Sequence, residues 1–108
     1  MLAALPEDTV ADVLARNASL RAGQYPRCTD SSVLSLVRDT RERGYCLQPG
    51  MVFEDSWAIG VVVYDANEAP VASISIAALR SRLGPARSAM LGNRLMQASK
   101  ELTAQLRA

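Results

Sequence analysis

The sequence predicts an α+β domain, a small antiparallel sheet with helices packed against it. Three observations carry that expectation. Trp57 to Leu79 reads WAIGVVVYDANEAPVASISIAAL, two apolar β-branched arms around the polar segment Asp65–Pro70, the pattern of an antiparallel hairpin. Leucines and alanines recur at steps of three and four near the C-terminus, the period of an amphipathic helix. The order helix, helix, strand, hairpin, helix contains no internal repeat and no low-complexity tract.

The two hairpin arms differ. Trp57–Tyr64 is apolar nearly throughout, as expected of a central strand covered on both faces. Val71–Ala78 alternates, with Ala72, Ile74, Ile76 and Ala78 on one face and Val71, Ser73, Ser75 and Ala77 on the other. The isoleucine face suits packing under a helix. The opposite face is small and hydroxyl-bearing, which reads either as the floor of a small-ligand site or as a solvated face of a half-exposed sheet.

Before the hairpin, PEDTVADVLARN reads as a helix from Pro6. Proline suits a first turn, Glu7 and Asp8 complement the positive end of the dipole, and Val10, Val13 and Leu14 form the stripe, with Leu5 stapled onto it. Residues 18–27 show no periodicity and read as a loop. A second helix follows Thr29 or Asp30 as N-cap, buries Val33, Leu34, Leu36, Val37 and Thr40, and ends at Gly44. Its last turn, Arg41-Glu42-Arg43, reads as a solvated helix end rather than a phosphate site. Tyr45–Gln48 is a short strand broken by Pro49-Gly50, and Met51–Ser56 is either a strand start or a loop over the hairpin's face. After Gly84, Pro85 opens the long last helix, whose stripe is Leu91, Leu95, Ala98, Leu102 and Leu106, widened by Met90 and Met96.

Composition bounds the function. At 108 residues with 49% apolar side chains, the chain is one domain able to bury a core. Twelve basic against eleven acidic residues leave no concentrated basic face for nucleic acid. No uncharged stretch approaches bilayer length, and the N-terminus lacks a secretory pattern, so no membrane partner is expected. Cys28 and Cys46 match no zinc or redox spacing, which makes reduced thiols and a cytoplasmic location the expectation. There is no histidine. Ser-His and Cys-His catalysis and His-ligated metals are thereby excluded. No cofactor and no metal is expected.

Taken together, LAALPEDTVADVLARN, SSVLSLVRDTRERGYCL, VVYDANEAPVASISIAALRSRL and the amphipathic closing helix resemble the C-terminal effector-binding domain of the IclR family of bacterial transcription regulators. The resemblance extends over essentially the whole chain, and the hairpin's D-x-x-x-x-P-x-A-x-I-S-I followed by S-R-L is its most specific part. It implies a GAF-like antiparallel sheet with helices on one face and a ligand pocket on the other, here incomplete. Residues 1–108 are similar to the last part of the effector domain only. Met1 falls within the family's first effector-domain helix, and the winged helix-turn-helix domain would precede it. DNA would then be a partner only through that N-terminal domain. The other partners implied are a small-molecule effector and further copies of the chain, as a dimer or tetramer. Relatives that sense small carboxylates use an acidic residue after the Gly-Tyr strand, a small polar residue at the start of the first hairpin arm and two hydroxyls on the second. Here those positions hold Gln48, Ala58, Ser75 and Ala77, and Ser56 opens the same arm. These five are the candidate ligand-binding residues: Ser75 and Gln48 as hydrogen-bond partners, Ala58 and Ala77 as space. The acidic pair common after the Gly-Tyr strand falls on Gly50 and Met51, and Trp57 adds bulk near the pocket mouth. Losing a charge and a hydroxyl points to a less polar effector, for instance an aromatic one. Two alternatives stay open: a ligand-free dimerisation module, and a GAF-like enzyme using Cys28 and Cys46.

Overall fold

A computed structural model describes residues 1–107. The elements are α1 (Glu7–Arg16), α2 (Ala18–Gln24), α3 (Asp30–Arg43), β1 (Cys46–Pro49), β2 (Ser56–Tyr64), β3 (Pro70–Leu79) and α4 (Pro85–Arg107). Short 3₁₀ turns at Leu2–Ala4 and Arg80–Arg82 precede α1 and α4. The sheet is antiparallel with the order β1-β2-β3, so the hairpin supplies two of its three strands. Asp65 fixes the hairpin loop: its carboxylate accepts from the amides of Asn67 and Ala69 at 2.8 and 3.0 Å.

The register sorts the side chains into two faces. Leu47 lies opposite Ile59 and Ile59 opposite Ile76, while Val61 pairs with Ile74 and Trp57 with Ala78. This face lies under α4, where Ile59, Val61, Leu83 and Leu95 form the buried cluster, joined by Tyr45, Leu47, Trp57 and Ile74. Ile59 has no solvent exposure. Its burial contributes roughly 1.5–3 kcal/mol, making it a principal anchor of the sheet. Trp57 therefore packs toward α4, away from the hydroxyl face.

Among the described residues, one face of β2 lies under a helix. Ile59, Val61 and Val63 are buried and the alternate positions are half-buried, which corrects the expectation of a strand enclosed on both sides. On β3, Ser73 and Ser75 are exposed, Ile74 is half-buried, and Ile76 keeps 37% of its surface in solvent because α4 lies mainly over β2.

The last helix also departs from its expected stripe. Its buried residues are Ser88, Gly92, Leu95 and Ser99, whereas Met90, Leu102 and Leu106 are exposed. The reason is distance. At Gly92 an added Cβ would lie 2.7 Å from the Tyr45 ring, and the Ser99 hydroxyl donates to the Val62 carbonyl at 2.6 Å. That carbonyl lies beyond the end of β1, whose pairing with β2 stops at Gly60, so the helix replaces a missing strand partner.

A second core joins α1, α3 and the first 3₁₀ turn through Val10, Leu14 and Val37, with Leu2, Ala3, Leu5 and Val33 against them. The capping expectations are met: the Thr29 side chain accepts from the Ser32 amide, and Gly44 closes α3 at φ 90°. Leu34, expected inside, is 49% exposed.

Residues 18–27, expected as a loop, contain α2. That helix has no buried apolar residue, hence no periodicity to read, and Arg21 fastens it instead. The guanidinium donates to the carbonyls of Leu14 at 2.7 Å and Cys28 at 2.8 Å, and meets the Asp30 carboxylate at 2.6 Å. Its Nε is buried with no partner among the described residues. The Arg21 side chain is largely buried although Asp30 is exposed, so the two carbonyl bonds carry more of the fastening than the ion pair. Arg21→Ala is expected to cost about 2–3 kcal/mol. Urea denaturation measures this, and a loss below about 0.5 kcal/mol, the range of an ordinary surface change, would contradict the role given to Arg21.

Candidate functional site

The face of the sheet away from α4 carries the small and polar side chains. Two rows cross it. Gln48, Ala58 and Ala77 stand opposite one another on β1, β2 and β3, and Cys46, Gly60 and Ser75 form the adjacent row. Val62 and Ser73 follow as a third pair, and Ser56 lies opposite Leu79 at the other end. The register thus places all five candidate residues on one face.

A cavity of about 360 Å³ opens over part of this face. Its floor is Gly60, Val62 and Tyr64 of β2, Ser73 and Ser75 of β3, and Cys46 of β1. One wall is the 3₁₀ turn, through Ala3 and Ala4, and another is the end of α3, through Thr40 and Arg41. Of the five candidates, Ser75 lines the cavity. Gln48, Ser56, Ala58 and Ala77 share its face but lie outside the lining, in rows nearer the Met51–Asp55 loop.

The floor is open for an identifiable reason. A Cβ at Gly60 would make ordinary contacts at 3.7 Å with Ile74 and Ser75, so glycine here relieves no clash and instead leaves a methyl-sized space. Thr40 is already committed, its hydroxyl donating to the Leu36 carbonyl at 2.6 Å. The exposed hydroxyls of Ser73 and Ser75, the half-buried Tyr64 and the Cys46 thiol supply the polar edge, and Gly60 and Val62 supply the apolar one. Among the described residues the lining holds one charged side chain, Arg41, and no carboxylate. The lining thus sets a few hydrogen-bonding groups beside apolar surface.

Several of these residues were not legible as site residues. Arg41 is exposed, as expected of a solvated helix end, but its side chain, 34% exposed, also bonds the 3₁₀ turn: its Nε donates to the Ala3 carbonyl at 3.1 Å and its Nη2 to the Leu5 carbonyl at 2.8 Å. Cys46, Gly60 and Ser75 become neighbours only once the strand register is known. Gly50 and Met51, at the positions of the family's acidic pair, are both buried. Cys28 sits between α2 and α3, far along the chain from Cys46, and both thiols are free. No group of three or more potential metal-ligating side chains occurs among the described residues, and no described helix is long and apolar enough to cross a membrane.

Comparison with known proteins gives a consistent result. The family model described as bacterial transcriptional regulator IclR C-terminal matches residues 1–104. Among solved structures, the Agobacterium tumefaciens repressor BlcR is 29% identical with a TM-score of 0.69, over 74% of this chain and 32% of that one. The Thermotoga maritima IclR is 19% identical with a TM-score of 0.79, over 99% and 43% of the two chains. The C-terminal domain of the E. coli transcriptional regulator KdgR is 24% identical with a TM-score of 0.77, over 99% and 65%. The last two likenesses are of fold. The chain spans about a third of the BlcR structure and under half of the Thermotoga one. No curated protein sequence matches it.

Proposed function

This chain belongs to the IclR family of bacterial transcriptional regulators, matching its C-terminal domain, and on that premise we propose that it is the last part of an effector-binding domain that senses a small, weakly polar molecule. The family is one of regulators and not of enzymes, which removes the cysteine-based alternative. The cavity on the hydroxyl face, backed by a sheet whose other face is anchored to α4, is the observation that carries the reading.

The occupant proposed is a single aromatic ring with one hydroxyl, because the lining sets Gly60 and Val62 beside the hydroxyls of Ser73 and Ser75. Its ring lies against Gly60 and Val62, and its hydroxyl reaches Ser73 or Ser75. Binding shifts the balance between subunit arrangements of a homo-oligomer in the cytoplasm, and DNA is contacted by a separate domain. The effect is one of equilibrium, so the chain needs no reactive group.

Isothermal titration of the 108-residue chain tests this directly. 4-Methylphenol is expected to bind at least about tenfold more tightly than glyoxylate, a difference of about 1.4 kcal/mol. Micromolar binding of glyoxylate would overturn the weakly polar assignment, and absence of 4-methylphenol binding would overturn the aromatic one. One feature favours a second reading, an assembly module without a ligand. Among the described residues the outer edge of β3 has no strand partner over ten residues, and β3 carries no charge, the condition under which sheets add strands from another chain.

A further inference from the structure

The reading of the cavity as an effector pocket raises the question of what holds its walls. Two of them, the 3₁₀ turn Leu2–Ala4 and the end of α3, belong to segments nearly forty residues apart. We propose that Arg41 is the positioning residue of the pocket: it holds the 3₁₀ turn over the serine face, and effector affinity depends on that hold.

The argument starts from the turn itself. Among the described residues two backbone bonds close it, from the Ala4 amide to the Met1 carbonyl at 2.9 Å and from the Leu5 amide to the Leu2 carbonyl at 3.0 Å. A turn this short is marginal alone, and its final carbonyls have no partner within it. Arg41 supplies a partner to the Ala3 carbonyl within the turn and to the Leu5 carbonyl just after it. Its planar fork spans the Ala3 and Leu5 carbonyls at 3.1 and 2.8 Å, and Nη1 lies 3.7 Å from the exposed Glu7 carboxylate. Apolar packing of Leu2, Ala3 and Leu5 against Val10, Leu14 and Val37 pulls the turn toward the helices. The guanidinium fixes how far it extends over the sheet.

One side chain thus ties together two of the elements that face Ser73 and Ser75. An occupant of the cavity would touch a wall already ordered, and would avoid the entropy cost of ordering it. Lysine cannot reproduce this, because a single ammonium on a flexible stem lacks the rigid fork that meets two carbonyls together. Arg41→Lys therefore keeps the charge and removes the positioning.

The test combines amide hydrogen exchange with titration on the full 108-residue chain, using 4-methylphenol as probe. In Arg41→Lys, exchange at Ala4 and Leu5 is expected to rise about tenfold or more, while Ile59, Val61 and Val63 keep wild-type protection. The probe is expected to bind about tenfold more weakly, and to slow exchange at Ala4 and Leu5 in the wild type but not in the variant. Arg38→Lys, on the same helix but outside the cavity lining, is expected to change neither quantity. Unchanged exchange at Ala4 and Leu5, or an unchanged affinity, would overturn the inference. The two readings fail separately. A wild type that binds no probe overturns the aromatic assignment, and unchanged exchange at Ala4 and Leu5 in Arg41→Lys then overturns the inference by itself, whereas equal binding by wild type and Arg41→Lys overturns the inference alone.

Discussion

Replacing Gly92 with valine is expected to lower the stability of the chain by about 3 kcal/mol. The helix meets the sheet most closely at this residue, where an added Cβ would lie 2.7–2.8 Å from three carbons of the Tyr45 ring, including the ring carbon nearest the backbone. That carbon cannot swing aside as a flexible tip could, so either Tyr45 leaves its place or α4 retreats. Retreat would pull Leu95 off Ile59 and Val61 and lengthen the 2.6 Å bond from Ser99 to the Val62 carbonyl. Gly23→Ala provides the contrast. It lies in a helix with nothing within 4 Å of an added Cβ, and alanine there is expected to stabilise by about 0.5–1 kcal/mol through helix propensity. Urea denaturation of the two variants distinguishes the cases by sign. A Gly92→Val chain as stable as wild type would mean that α4 does not approach Tyr45 in this way.

The same closeness explains which parts of the fold were legible in the sequence. The hairpin, the Thr29 cap and the Gly44 stop are local, written in residues that sit next to one another, and they were readable. The face of α4 was not. Hydrophobic periodicity points to Leu102 and Leu106, but a helix lying close against a β-sheet turns its smallest side chains inward, and Ser88, Gly92 and Ser99 occupy that line. The leucines remain at 40% and 55% exposure. α2 leaves no trace in the hydrophobic pattern for a related reason, since the residue that fastens it is an arginine bonded to backbone carbonyls, which no apolar pattern marks.

The site divides along the same line. The alternation from Val71 to Ala78 separates the serine face from the isoleucine face, because side-chain direction in a strand is a local property. Which part of that face is roofed depends on residues distant in sequence. Arg41 and the Leu2–Ala4 turn meet across almost forty positions, so the sequence offered no sign that the cavity would lie over Gly60 and Ser75 and leave out the row of Gln48, Ala58 and Ala77.

Ser75→Leu has the largest expected effect on binding. Ser75 is exposed on the cavity floor, in the row with Cys46 and Gly60, and leucine there would occupy the space that glycine leaves open. The substitution suits a strand and disturbs no core contact, so the fold should be retained. Affinity for 4-methylphenol should fall at least about thirtyfold, about 2 kcal/mol, from the filled volume and the lost hydroxyl together. Ala77→Leu, two residues along the same face but outside the cavity lining, should leave affinity within about twofold of wild type, a difference under 0.5 kcal/mol.

The most direct measurement is therefore calorimetric titration of wild type, Ser75→Leu and Ala77→Leu with 4-methylphenol, each shown to be folded by circular dichroism. An effector held over the serine row predicts that binding is lost in Ser75→Leu and kept in Ala77→Leu. Undiminished binding by the Ser75→Leu chain would contradict the location of the site on which the whole account depends.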